Sequence, residues 1–313
     1  MYKILGHHHI SMKTKNGKEN NDFYTKVLGL RRVKKTVNQD DPSMYHLFYG
    51  DRVGSAGTEL SFFEMPTVGR THRGTNAITQ IGLLVPSSES LLYWQKRFEL
   101  FGITHGERIT YAGREALPFE DSEGLRLILI NNNGDEVPSF WTAWEGSTVE
   151  GNHRILGMGP IEITVRNIQA TVRVLTEVFN YIEIARTESE VIYQAIKGQA
   201  FGEIVLKQDD GPVERAGKGS IHHLAIRVKD VKELKYWEAK VRDFGLETAG
   251  IIDRFYFQSL YFRDRNGILF ELATDGPGFT VDAAVEELGE SLDLPPFLEG
   301  RRAEIEARLN PLD

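Results

Sequence analysis

Gly6-His7-His8-His9-Ile10-Ser11 and Gly219-Ser220-Ile221-His222-His223-Leu224 repeat one pattern more than two hundred residues apart: a glycine, a His pair, then an apolar run. Each pair opens a stretch in which apolar residues alternate with polar or small ones, the period of a half-buried strand. The same slot recurs at Gln80 (Gln80-Ile81-Gly82-Leu83-Leu84-Val85) and at Pro160 (Pro160-Ile161-Glu162-Ile163-Thr164-Val165). Four copies of one unit follow from this, each a strand, a helix and then several strands.

The spacing predicts helices over residues 19–28, 87–101, 168–179 and 231–244, where apolar residues return every three or four positions. Three end at Gly29-Leu30, Gly102-Ile103 and Gly245-Leu246, and the third unit has Asn180-Tyr181 there. Gly and Asn are the residues that best adopt the left-handed helix stop. The last strand of each unit is entered by Gly57, Gly124, Gly202 or Gly267, with Asp121-Ser122-Glu123-Gly124 and Asp264-Arg265-Asn266-Gly267 matching as turns. Four residues beyond these glycines stand Ser61, Ile128, Leu206 and Glu271.

The chain has 313 residues, 41% of them apolar, which suffices for about two domains. A division follows at 1–135 (units 1 and 2), a linker at 136–154, units 3 and 4 at 155–275, and a tail at 276–313 expected to pack across the repeats. The net charge of −8 and the scattered basic residues argue against a nucleic-acid surface. The densest basic run, Arg31-Arg32-Val33-Lys34-Lys35, reads as a solvated face. No cysteine is present, so disulfides and thiolate metal sites are excluded. No stretch of eighteen apolar residues and no basic-then-apolar leader appears, so the expectation is a cytoplasmic protein with no membrane partner.

Ligand-type residues fall only in units 1 and 4: His9 and His223 on first strands, Glu271 on a last strand. Two imidazoles and one carboxylate form the facial set that holds a redox metal and leaves three positions open. Units 2 and 3 carry Gln80, Ile128, Pro160 and Leu206 in those slots and read as structural. Ligands shared between units 1 and 4 require those units to be neighbours, which pairs 1 with 4 and 2 with 3. Alternation lets only one His of each pair face the metal. His46, in an aromatic run, reads equally well as a hydrogen-bonded core residue, and Tyr256 and Phe257 as core or pocket.

The His-His-Ile-Ser start, Phe23-Tyr24-Thr25-Lys26-Val27-Leu28-Gly29-Leu30, Tyr45-His46-Leu47-Phe48-Tyr49-Gly50-Asp51, Ile221-His222-His223 and Asp275-Gly276-Pro277-Gly278-Phe279 give the chain a family likeness. It resembles the vicinal oxygen chelate superfamily of glyoxalases, bleomycin-resistance proteins and extradiol dioxygenases, and within it the hydroquinone-type ring-cleaving dioxygenases. The resemblance implies an α+β fold of four βαβββ modules in two mixed-sheet half-barrels, with a C-terminal tail. It implies Fe(II), or Mn(II) in its place, on His9, His223 and Glu271. His8, His222, Arg254, Tyr261 and Ser11 match surrounding catalytic positions, Ser11 standing where some members have Thr.

By this likeness the reaction opens a dihydroxylated aromatic ring with O₂. His8 or His222 is expected as acid or base, because an unperturbed imidazole titrates near neutrality. Tyr261 and Arg254 are expected to stabilise an anionic oxygen, with an ion pair from Arg254 to Asp253 or Asp264 as the duller reading. A glyoxalase-type isomerase or lyase would use a second carboxylate, where this chain has Ser61. A metal-free sequestration protein would not need both His and the Glu. The sequence leaves ring substituents and homo-oligomerisation open.

Overall fold

A computed structural model describes residues 2–312. Unit 1 contributes strands β1 (His7–Thr14), β2 (Arg31–Val37), β3 (Tyr45–Gly50) and β4 (Glu59–Glu64). Unit 2 gives β5 (Ala77–Val85), β6 (Ile109–Tyr111), β7 (Arg114–Glu120) and β8 (Arg126–Asn131). Unit 3 gives β9 (Gly157–Val165), β10 (Ile182–Arg186), β11 (Glu190–Gln194) and β12 (Glu203–Gln208). Unit 4 gives β13 (Ile221–Val228), β14 (Thr248–Asp253), β15 (Phe257–Arg263) and β16 (Leu269–Pro277).

A helix follows each first strand: α1 (Gly17–Asp22), α2 (Ser88–Phe101), α3 (Ile168–Arg173) and α4 (Val231–Asp243). Each begins at a side-chain cap. Asn16, Ser87, Asn167 and Asp230 accept hydrogen bonds from the first-turn amides, satisfying donors that no helical carbonyl can reach. α1 and α3 widen into five-residue π turns at Phe23–Val27 and Val174–Val178 before stopping. The expected stops at Gly29, Gly102, Asn180 and Gly245 all take positive φ. Trp94 on α2 and Trp237 on α4 are fully buried against the sheets.

Two eight-stranded mixed sheets result. One runs β14-β15-β16-β13-β1-β4-β3-β2 and the other β10-β11-β12-β9-β5-β8-β7-β6. β1 pairs antiparallel with β13, and β5 with β9, so unit 1 joins unit 4 and unit 2 joins unit 3. The pairing expected from shared ligands is the pairing observed. In each unit the first and last strands lie parallel side by side. Both glycines that open the repeated motif have positive φ, and a Cβ on Gly219 would lie 2.7 Å from the Glu123 carbonyl, so a side chain there would be strained and crowded.

Two sequence expectations need correction. The run Arg31–Lys35 is not a solvated face. Lys34 is fully buried and its Nζ lies 2.7 Å from Asp282 and 2.6 Å from Asp293. Arg31 donates to the carbonyls of Glu286 and Leu288, and Arg32 to that of Gly289. The tail therefore straps β2, the edge of its sheet, and buries Leu294, Leu298 and Ile305 against Val37. The reason is a register shift in β2 between Arg32 and Lys34, which turns consecutive residues inward where simple alternation would expose one.

The second correction concerns unit 3. Ala225 stands beside Glu271 and Glu162 beside Val205 in the equivalent parallel pairs. Val205 thus occupies the Glu271 slot, one residue before Leu206. A 3-10 turn at Ala200–Gly202 runs directly into β12 and shortens the approach that fixed spacing from Gly202 assumed.

Candidate metal centre

In the β1–β13 ladder His9 lies opposite Ala225 and Ser11 opposite His223, which makes the two imidazoles diagonal neighbours on one face. Glu271 sits beside Ala225 in the next strand. Three adjacent central strands therefore aim three donors at one point on the concave side. All three are buried, Glu271 completely.

The donor atoms form a triangle. Glu271 Oε2 is 2.9 Å from His223 Nε2 and 3.2 Å from His9 Nε2, and the two Nε2 atoms are 3.3 Å apart. Behind them the hydrogen-bond network assigns the tautomers. His9 Nδ1 is 3.0 Å from His8 Nδ1, whose ring also reaches the Thr274 carbonyl through Nε2 at 3.0 Å. The carbonyl can only accept, so His8 carries its proton on Nε2 and takes the His9 Nδ1–H. His223 Nδ1 lies 2.8 Å from His222 Nδ1 in the matching arrangement.

The His9 Nε2 lone pair is thereby turned toward a carboxylate and a second imidazole. Apart from these two rings, neither oxygen of Glu271 has a polar partner. Buried lone pairs facing each other are costly unless a cation sits between them. The triangle's sides suit neighbouring ligands on a first-row cation, with metal–donor bonds of about 2.0–2.2 Å. Two nitrogens, one carboxylate and no sulfur suit Fe(II) or Mn(II).

Burial works against charge on Glu271, yet positive charge in the triangle, on the His9 and His223 rings or on a bound cation, outweighs it and holds the carboxyl well below its ordinary range. A second group, His8, His9 and Glu59, also lies close together. Burial, with Asp51 nearby, pushes the Glu59 carboxyl well upward, so it lacks the charge that makes Glu271 a good donor.

The remaining predicted residues separate by position. His222 borders the cavity in front of the triangle, whereas His8 is buried behind it and does not line the cavity. Burial lowers both from 6.5 to about 3, so neither ring is protonated to a cation at neutral pH. Tyr261 lies opposite Glu271 in the β15–β16 ladder, with its ring edge-on to His223 at 5.7 Å. Burial pushes its phenol up, keeping the proton in place. Arg254 stacks over Tyr261 at 5.5 Å and pairs with neither Asp253 nor Asp264. Its partner is Asp40, at 2.9 Å, from the β2–β3 loop. Ser11 is fully buried, its Oγ 2.6 Å from that of Ser61, and is not among the cavity-lining residues.

The cavity holds about 390 Å³ and is walled by residues of units 1 and 4. Phe257 packs on both His8 and His9, with ring centres 5.2 and 5.1 Å away. Tyr256 also lines it, while Trp141 packs against Phe201 in the other sheet. Sequence reasoning missed Gln39 and Asp40, whose bonds to the Arg254 carbonyl and guanidinium close one side of the cavity. Nothing local marks a loop residue whose partner is two hundred positions away. His46 also lines the cavity; its place beside Phe48 and Phe63 was visible only as an aromatic pattern.

Known proteins resemble this chain along its length. A 48% identical protein of Bacillus subtilis (strain 168), aligned over 99% of both chains, is named "Putative ring-cleaving dioxygenase MhqA". A chlorohydroquinone/hydroquinone 1,2-dioxygenase of Sphingobium indicum is 28% identical over 98% of this chain and 97% of its own. A crystal structure described as "putative dioxygenase from Bacillus subtilis subsp. subtilis str. 168" superposes with a TM-score of 0.92 at 32% identity, covering 100% of this chain and 99% of that one. The family model for the Glyoxalase/Bleomycin resistance protein/Dioxygenase superfamily matches residues 6–129 and 157–272. Those two stretches contain all four units and every donor of the triangle, and the chain belongs to that superfamily.

Proposed function

We propose that this protein is an Fe(II)-dependent extradiol-type dioxygenase that opens the ring of a hydroquinone or related dihydroxylated aromatic with O₂. One observation carries the reading: three buried donors from β1, β13 and β16 converge with both Glu271 oxygens otherwise unpartnered. The names of the relatives support the ring-cleaving class, and the Sphingobium enzyme supports a hydroquinone. His9, His223 and Glu271 would hold the metal, with Mn(II) as the alternative ion. Bound there, it supplies Lewis acidity toward a substrate oxygen and electrons toward dioxygen.

The chain's own residues do the rest. His8 fixes the His9 ring by taking its Nδ1 proton, and such partners tune ligand basicity. His222 does the same for His223 and also lines the cavity, where its ring can hydrogen-bond a substrate oxygen and is the candidate proton-transfer group. Tyr261 keeps its phenolic hydrogen and, with the Arg254 guanidinium, donates to an anionic ring oxygen. Ser11 and Ser61 pair their hydroxyls beneath this face and hold it rigid. Phe257 and Phe48 keep water from the reacting ring. Ser61 in the fourth ligand slot supplies no second carboxylate, which weighs against an isomerase.

Anaerobic loading with Fe(II), followed by an oxygen-electrode screen of hydroquinones and catechols, tests the proposal. Oxygen uptake with at least one diol is expected. A flat trace across both sets would end it.

A further inference from the structure

His46 is the one cavity-lining imidazole that takes no part in the donor triangle or its supporting pairs. It sits on β3, two strands from β1 across β4, and lines the same cavity as His9 and His223. Its ring is clamped between Phe48 and Phe63, with centroids 4.1 and 4.2 Å away. Nε2 lies 3.1 Å from Ser61 Oγ, which is tied in turn to Ser11. One edge of the ring is thus fixed by a chain of hydroxyls. Nδ1, on the other edge, has no partner among the described residues, and the residue is half-buried on the cavity wall.

A stack on Phe63, a tilted contact with Phe48 and the bond to Ser61 hold the ring in place. A held ring on the cavity wall with a nitrogen that has no protein partner among the described residues is a recognition group. A para-diol has one oxygen for the donor triangle and a second at the far end of its ring. One oxygen at the triangle leaves the other at the opposite end of the ring, within the same cavity that His46 lines with His9 and His223. An ortho-diol directs both oxygens at the triangle and leaves nothing at the far end. Either tautomer serves. If Ser61 donates to Nε2, Nδ1 donates to the distal oxygen; if Ser61 accepts, Nδ1 takes the distal hydroxyl's proton in a hydrogen bond.

We infer that His46 Nδ1 binds the distal hydroxyl of a para-dihydroxylated ring and so selects hydroquinones. This rests on the ring-cleaving reading for its substrate class, but its test does not rest on turnover. Anaerobic calorimetry on the Fe(II)-loaded protein compares hydroquinone with phenol, which lacks the distal hydroxyl. The native protein is expected to bind hydroquinone roughly tenfold more tightly than phenol, the worth of one hydrogen bond to a buried partner. His46→Phe keeps the stack and is expected to erase that ratio while leaving phenol affinity unchanged. His46→Asn, which keeps a polar atom near Nδ1, is expected to restore part of it.

Equal weakening of both ligands in His46→Phe, or a native ratio of one, would overturn the inference. If the native protein takes up no oxygen with any diol yet the ratio behaves as stated, ring cleavage fails and the hydroxyl site stands. Oxygen uptake with an unchanged ratio in His46→Phe overturns the hydroxyl site and leaves ring cleavage standing.

Discussion

The two sheets share strand order and pairing register, yet the concave face of one is hollow and polar and that of the other is filled. In the sheet of units 1 and 4, His9, Ser61, His223 and Glu271 border or underlie the cavity. In the sheet of units 2 and 3, Ile128 and Val205 hold the Glu271 slot, packed with Leu84, Ile130 and Ile192. The backbone therefore does not make the site. Side chains at a few registered positions do, and the scaffold accepts either filling because its cores lie between helices and sheets.

The largest expected effect breaks the comparison on the polar side. Glu271→Gln or His223→Ala should lower metal affinity about a hundredfold or more, by the measure that even supporting partners are worth 10–100-fold. Metal-to-protein ratios after dialysis read this directly, and full retention would remove the proposed ligands. The converse substitution, Ile128→Glu, puts a carboxylate among aliphatic side chains with no cation or donor beside it. It should cost about 3–5 kcal/mol in urea unfolding, with metal content unchanged.

The sheets also differ at their edges. β2 is strapped by the tail, while β10, at an edge of the other sheet, is exposed along its whole length. Lys34→Ala leaves Asp282 and Asp293 without their buried cation. It should cost about 2–3 kcal/mol, less than a fully buried pair because both carboxylates are partly exposed. Faster proteolysis within residues 282–293 is expected to accompany it; unchanged melting and cleavage would show that the strap is held elsewhere.

The least direct effect concerns the matched turns and shows only as a slope of stability with pH. Asp121 accepts from Tyr24 of unit 1, and Asp264 from Thr171 of unit 3. Burial raises Asp121 from 3.8 to about 6. A folded pKa above the unfolded one favours the folded state while the group is protonated. That contribution is whole below pH 3.8 and is lost as pH rises through about 6. Asp121→Asn should remove this slope, worth about 3 kcal/mol at most; an unchanged pH profile of stability would contradict it.

The fold was legible because its signals are periodic and local: apolar alternation, helical spacing and the Gly or Asn stops. The donor triangle was legible because only units 1 and 4 carry ligand-type residues in their slots, which also dictated the pairing. What escaped has a common cause. The register shift in β2 that buries Lys34, the one-residue offset that substitutes Val205 for Leu206, and the reach of Asp40 to Arg254 all depend on where backbone irregularities fall. His46 carried the same ambiguity, since a stacked imidazole reads alike in a core and on a cavity wall.

Donors at positions 9 and 271 come from the first and the fourth unit. During synthesis the first strand must wait, its imidazole unshared, until the fourth unit has left the ribosome. No fragment lacking unit 1 or unit 4 carries the complete donor set. A bound cation would then act as a clasp joining the earliest and latest segments, present only in the folded chain and so adding to its resistance to unfolding.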